Sequence, residues 1–323
     1  MKQHFRTMIV WFILITYAFL PGCGNTPSTL PGSSPTQVAS PTPKPCTDKY
    51  IEAFTTYEST AGICTVYDVD SEIYLYTKQD LNTRLYPAST TKLFTAWVAL
   101  QYLSPEKVIL VGDELDRVAP DASIAYLQKG YTLSVSSLIE GMLLPSGNDA
   151  AYVIACHAGR AIARNDRLDT NAAIAAFMDE MNRQTALQGL HDTHFVSPDG
   201  YHDPDHYTTV EDLIQIAKIA LNDEVIAQYV QVAKEEITFS DGNSVLWENT
   251  NLLLHADSPY FLKDAVGLKT GYTKAAGYVL LSAIRNPHTA SLMIMLVAQC
   301  PTPESRFAET ISLYNVLKSV EID

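Results

Sequence analysis

Asp264-Ala265-Val266-Gly267-Leu268-Lys269-Thr270, Gly277-Tyr278-Val279-Leu280-Leu281-Ser282-Ala283-Ile284-Arg285 and Ala290-Ser291-Leu292-Met293-Ile294-Met295-Leu296-Val297-Ala298 follow one another near the end of a 323-residue chain. All three segments read as β-rich, in contrast to the helical stretch before them. Far upstream, Ala61-Gly-Ile-Cys-Thr-Val-Tyr-Asp-Val69 and Glu72-Ile-Tyr-Leu-Tyr-Thr77 read as a hairpin turning at Asp70-Ser71. Between these ends the pattern is helical. Leu93, Trp97 and Leu100 form one stripe of a helix over Ser89–Leu103, and further helices are expected at 134–144, 148–164, 171–188 and 209–221. Thr208 or Thr209, ahead of Glu211-Asp212, is a good helix start. Phe307, Ile311, Tyr314 and Leu317 mark a last amphipathic helix. Strands at both ends and helices between imply an α/β fold in α+β order. One antiparallel sheet is built from both termini and covered by helices, with a helical lobe inserted over about residues 105–260. A cleft between the lobes is the expected site.

Composition narrows the function classes. With 47% hydrophobic and 18% charged residues the chain is an ordinary globular one, and no solenoid repeat is visible. Lys and Arg number 22 against 36 Asp and Glu, a net charge of -14. No basic stripe for nucleic acid fits that balance. The five cysteines are too few for a disulfide-built scaffold. Cys46 and Cys64 are close enough in sequence to pair in an exported protein, whereas Cys156 and Cys300 sit in apolar segments and read as buried thiols.

Residues 1–22 read as an export signal. Lys2 and Arg6 precede an apolar run from Met8 to Leu20, which is too short for a stable membrane span. Leu20-Pro21-Gly22-Cys23 closes the run and resembles a bacterial lipoprotein cleavage site. That resemblance implies lipidation of Cys23 and an extracytoplasmic protein anchored to the cell membrane. Residues 23–47, rich in Pro, Ser and Thr, cannot bury enough apolar surface to fold and read as a tether. The catalytic domain is expected over residues 48–323.

Three short motifs carry chemistry. Ser89-Thr90-Thr91-Lys92 opens a helix, where positions i and i+3 share a face, so hydroxyl and amine can touch. A Ser beside an unprotonated Lys is a nucleophile with its base. Alone the motif is weak, since Ser-x-x-Lys arises by chance about once per 300-residue chain. Ser104-Pro105-Glu106-Lys107 is a second match and reads as a helix cap with a solvated Lys. Ser146-Gly147-Asn148 lies between helices and taken alone is a loop with an Asn cap. Lys269-Thr270-Gly271 ends a β-rich segment and taken alone is a turn.

Together, in this order on helix, loop and strand, the three motifs resemble those of the penicillin-interacting serine enzymes. The flanking residues are similar to the D-alanyl-D-alanine carboxypeptidases of the S11 serine peptidase family over about residues 55–320. They include Pro87-Ala88 before Ser89, Met142 to Ala151 around the middle motif, Ser197-Pro198-Asp199-Gly200-Tyr201, His206-Tyr207-Thr208-Thr209, and Gly267 to Thr273.

The resemblance implies a β-lactamase/transpeptidase-like fold and a D-Ala-D-Ala carboxypeptidase acting on peptidoglycan stem peptides, inhibited by β-lactams, with no cofactor and no metal. It implies Ser89 as nucleophile, Lys92 as its base and Ser146 as proton relay. Asn148 would hold the substrate backbone, and Lys269 and Thr270 its terminal carboxylate. Gly271 would allow close approach, and the N–H groups of Ser89 and Tyr272 would form an oxyanion hole. To act as base Lys92 must fall from about 10.4 toward 7, through burial and the neighbouring Lys269 charge.

Other readings have weaker support. A D,D-endopeptidase shares the same acyl-enzyme. A serine β-lactamase of class A needs a loop Glu, but no Glu-x-x-Leu-Asn occurs between Ser146 and Lys269, and Gly147 stands where those enzymes carry Asp. A metal-dependent hydrolase would draw on His191, His194, His202 and His206 with nearby aspartates, yet the spacing lacks the Glu of a zinc protease, and Asp199-Gly200 and Asp203-Pro204 are turn chemistry. A non-catalytic peptidoglycan-binding lipoprotein would have no need of every motif residue.

Overall fold

The computed structural model describes residues 45–322, with side chains from Thr47 onward. The expected signal peptide, the lipidation site Cys23 and the tether up to residue 44 lie outside the described residues. Helix α1 (Pro45–Phe54) starts on a proline, whose missing N–H has no helical partner to lose at that position. Strands β1 (Ile63–Asp68) and β2 (Ile73–Thr77) form the expected hairpin. Then β3 (Arg84–Leu85) leads through a 3-10 turn at Ala88–Thr90 into α2 (Thr91–Leu100). A two-stranded ribbon, β4 (Val108–Leu110) with β5 (Thr132–Ser134), precedes α3 (Val135–Leu143), α4 (Asn148–Ile162) and α5 (Thr170–Leu187). Strand β6 (Thr208–Thr209) pairs with β3 and leads into α6 (Val210–Leu221) and α7 (Glu224–Val230). A hairpin of β7 (Lys234–Thr238) and β8 (Ser244–Glu248) follows. The chain closes with β9 (Ala265–Thr273), β10 (Gly277–Arg285), β11 (Leu292–Cys300) and α8 (Pro303–Ser319).

The five-stranded antiparallel sheet has the order β2-β1-β11-β10-β9, so the N-terminal hairpin joins the C-terminal strands through β1 and β11. Its inner strands are buried on both faces, which is why they read as nearly unbroken apolar runs. On β11, Ile294, Leu296 and Ala298 face the helical lobe, while Met293, Met295 and Val297 face α1 and α8. Apart from Ala298, each of these fully buried side chains contributes roughly 1.5–3 kcal/mol. Strand β9 ends the sheet order and leaves an edge.

Helix starts follow local chemistry. The Thr209 hydroxyl accepts from the Asp212 N–H, and Asp169 and Ser134 do the same for α5 and α3. Thr302 and Ser305 cap α8 reciprocally.

Three expectations change. Ser89 lies on the 3-10 turn Ala88–Thr90 ahead of α2, directly after Ala88, whose φ is +49°. Ser104–Lys107 is a turn running into β4, closed by the Lys107 N–H on the Ser104 carbonyl, with the Ser104 hydroxyl spent on Glu106. The β7–β8 hairpin has no counterpart among the expected elements. Its first strand, Lys-Glu-Glu-Ile-Thr, is charged and mostly exposed and shows no apolar alternation. Tertiary anchoring by Trp247, buried with its Nε1–H on the Ala125 carbonyl at 3.0 Å, holds the hairpin instead. Cys64 is a buried free thiol on β1, as are Cys156 and Cys300 in their own elements, and the side chain of Cys46 lies outside the described ones.

Candidate active site

Glycines bring the motif residues together. Gly200 has a φ of +80°, and a Cβ there would lie 1.9 Å from the Ala88 carbonyl oxygen. A Cβ on Gly271 would lie 3.0 Å from Ala88 Cβ and 3.1 Å from Ser89 N. Gly271 is expected to admit substrate, and its first service is to let β9 press against the turn carrying Ser89.

Behind Ser89 lies Lys92, fully buried. Its Nζ is 2.8 Å from Ser89 Oγ, 2.7 Å from Asn148 Oδ1, 3.0 Å from the Asp199 carbonyl oxygen and 3.5 Å from Ser146 Oγ. A neutral amine has two N–H donors and one lone pair. Asn148 Oδ1 and the Asp199 carbonyl are obligate acceptors and take the two donors, which turns the lone pair toward Ser89. Burial pushes the Lys92 ammonium down to about 8, against the opposing charges of Asp199 and Asp149. The two aspartates explain why it stops short of 7.

The middle motif is set by Asp149. Its carboxylate accepts N–H groups of Ala125, Leu127 and Ala150 at 2.8–3.0 Å, and burial holds it above its ordinary value. This clamps the 123–127 loop over the start of α4, where the Ser123 hydroxyl donates to the Ser146 carbonyl and the Ser123 carbonyl accepts from the Asn148 N–H. Ser146 sits at φ 64°. A Cβ at Gly147 would meet the Gly141 carbonyl at 2.7 Å, so an aspartate has no room there.

The third motif lines the opposite wall. Lys269 is fully buried, and its ammonium is driven well below its ordinary value by burial and by the charges of Lys92 and Arg306. Thr270 Oγ1 is 2.5 Å from Thr250 Oγ1. Tyr272 is half exposed, its ring stacked on Tyr278 with centroids 4.3 Å apart. Ser89, Ser146, Asn148, Thr270, Gly271 and Tyr272 line one cavity of about 680 Å³ running along the β9 edge, above the two buried lysines.

Three neighbours escape sequence reasoning. Arg306 on α8 lines this cavity and donates to the carbonyls of Gly271 and Val279 at 3.2 and 3.3 Å, while its buried Nε has no hydrogen-bond partner among the described residues. A cation on the buried face of α8, beside Phe307, is its only signal. Thr250 gives none. Asp199 reads as turn chemistry in the sequence, yet its carboxylate accepts from Asn148 Nδ2 at 2.6 Å. The histidines have separate local roles. His206 bonds Thr91, His194 bonds the Asp205 carbonyl, and His202 stands edge-on to the Tyr86 ring.

Comparison with known proteins gives the same family at each level. The profile of the D-alanyl-D-alanine carboxypeptidase family, Peptidase S11, matches residues 51–298. The D-alanyl-D-alanine carboxypeptidase of Streptomyces sp. strain K15 is 33% identical over 241 residues, 72% of this chain and 79% of that one. The carboxypeptidase DacA of Haemophilus influenzae is 28% identical over 241 residues, 71% of this chain, and the match spans only 55% of that protein. The crystal structure of the Streptomyces K15 DD-transpeptidase superposes with a TM-score of 0.72 at 28% identity, covering 82% of this chain and 99% of that one.

Proposed function

The chain belongs to the D-alanyl-D-alanine carboxypeptidase family of serine peptidases, and on that premise we propose that it removes the terminal D-Ala from peptidoglycan stem peptides through an acyl-enzyme on Ser89. The observation that carries this is the buried Lys92 amine, 2.8 Å from Ser89 Oγ with acceptors on its other side. In the proposed cycle Ser89 Oγ attacks the carbonyl of the penultimate D-Ala and its proton passes to Lys92. The N–H groups of Ser89 and Tyr272 stabilise the oxyanion, a donor of this kind being worth about 2.7–4 kcal/mol. Lys92 returns the proton through Ser146 to the departing amine of the terminal D-Ala. Water then attacks the ester, giving its proton to Lys92, which hands it to Ser89 Oγ as the ester C–O bond breaks and the shortened peptide leaves with a new carboxylate.

Asn148 Nδ2 has a second N–H for the substrate carbonyl. The extended peptide adds to the β9 edge, and Lys269 and Thr270 hold its carboxylate with Arg306 behind them. Burial and the neighbouring cations disfavour the charged form of Lys269 while the site is empty. An arriving carboxylate supplies the counter-charge that lets it take a proton. β-Lactams acylate the same Ser89. The missing room at Gly147 and the absent loop Glu favour this reading over a class A β-lactamase. D-Ala release from a peptide ending in D-Ala-D-Ala tests it. Wild type releases free D-Ala, and Ser89→Ala releases none while keeping its melting temperature. Release by Ser89→Ala would remove Ser89 from the chemistry.

We propose in addition that Cys23 is lipidated and holds the domain outside the cell membrane. Lys2, Arg6, the apolar run and its end at Cys23 support this. No described helix is long and apolar enough to cross a membrane. Full-length protein expressed in a bacterium partitions into detergent, and Cys23→Ala moves it to the aqueous phase. Unchanged partitioning would reject lipidation.

A further inference from the structure

Asp199 is almost fully buried, and each of its side-chain oxygens is claimed. Oδ1 accepts from Ser197 Oγ at 2.7 Å and from the Tyr201 N–H at 3.0 Å, and Oδ2 accepts from Asn148 Nδ2 at 2.6 Å. The segment bearing it is docked on α2. The Pro198 carbonyl accepts from Thr95 Oγ1 at 2.7 Å. His206 Nδ1 accepts the Val196 N–H at 3.1 Å, so its proton is on Nε2, which donates to Thr91 Oγ1 at 2.9 Å. Burial pushes the His206 imidazole down to about 4, so this strut stays neutral and unchanged across the working pH range.

A carboxamide can be turned end for end at almost no steric cost, so its neighbours decide which end faces where. Asn148 stands between Lys92, which needs an acceptor, and Asp199, which needs a donor. We infer that Asp199 is a positioning residue for acylation: its carboxylate locks the Asn148 carboxamide with Oδ1 toward Lys92 and one Nδ2–H free toward the cleft. The chain of contacts runs from Ser197 and Tyr201 through Asp199 and Asn148 to Lys92 and Ser89. This deepens the acyl-enzyme reading and rests on it for its kinetic consequence, though not for the geometry.

Asp199→Asn is the test. An amide at 199 keeps its oxygen for Ser197 and Tyr201 and so presents NH₂ to the Asn148 NH₂. Asn148 then reverses and offers Lys92 a donor in place of an acceptor. Acylation by a penicillin falls roughly 10- to 100-fold, the loss expected for a hydrogen bond to a charged group. Two readouts separate positioning from mere support. The charged groups around Lys92 are Asp199, Asp149 and Lys269. Removing the first moves the rising limb of the acylation pH profile to lower pH. On the plateau above that limb, Asp199→Asn in an Asn148→Ala background changes the rate less than about twofold, because the hydrogen-bonded route through Asn148 is gone. An unmoved limb, or the full loss persisting without Asn148, would overturn the inference.

Should the variant fail to fold, Asn-selective ¹⁵N labelling of wild type reads the lock directly. One Asn148 side-chain proton is expected far downfield and slow to exchange, and two fast-exchanging protons would overturn the inference. A wild type that is never acylated would reject the acyl-enzyme reading, and the labelling experiment would still decide the role of Asp199.

Discussion

Lys92→Arg lowers the acylation rate by about 10³-fold, within the 10²–10⁴ range of a lost general base, and raising the pH does not restore it. Arginine keeps a cation in the slot but does not release its proton in a protein. The substitution therefore separates a base from a charge that merely steadies Ser89. Wild type, by contrast, gains rate as the pH rises through about 8, where the Lys92 amine loses its proton. A guanidinium is larger than an ammonium, and the slot is fully buried, so Lys92→Met serves as the companion variant. It removes the base with little change in volume and should be as slow. If either folded variant stayed within tenfold of wild type, Lys92 would not be the base, and its 2.8 Å approach to Ser89 would be structural.

Lys269→Ala raises KM and cuts kcat/KM for a free-carboxylate peptide about 100-fold more than for the matching C-terminal amide. That ratio is about 3 kcal/mol, the size of one charge-assisted hydrogen bond in a buried site. The sign with pH follows from the burial of Lys269. Its ammonium is held well below the ordinary value, so carboxylate binding depends on proton uptake and weakens as the pH rises. Lys92 needs to lose a proton where Lys269 needs to gain one. The kcat/KM of the carboxylate substrate is therefore bell-shaped, and Lys269→Ala removes its falling limb. Equal losses on acid and amide would mean that another group, with Arg306 the first to examine, reads the carboxylate.

The sheet was legible because β1, β10 and β11 are buried on both faces and need apolar residues at consecutive positions. Ser89 and Lys92 were legible as a touching pair because i and i+3 share a helix face, while their roles, and those of Ser146, Asn148 and Lys269, came from the resemblance to the S11 carboxypeptidases. Pairings made across long sequence distance were not legible. Nothing in Ser197-Pro198-Asp199-Gly200 says that its carboxylate will meet Asn148 51 residues earlier. Nothing in the acidic, exposed strand β7 says that Trp247 on the paired strand will anchor it. Arg306 is intermediate, since a cation on the buried stripe of α8 demands a polar destination without naming it. Ser104-x-x-Lys107 shows the converse. The pattern matches, yet the fold spends that hydroxyl on Glu106 and leaves Lys107 in solvent.

The most direct measurement is the intact mass of the domain, residues 46–323, followed over time with a penicillin, with the adduct mapped by peptide digestion. A lasting increase equal to one penicillin, carried by Ser89 and absent from Ser89→Ala, is the expected result. Fast penicillin hydrolysis with no persisting adduct, or an adduct on any residue other than Ser89 in folded protein, would contradict the account.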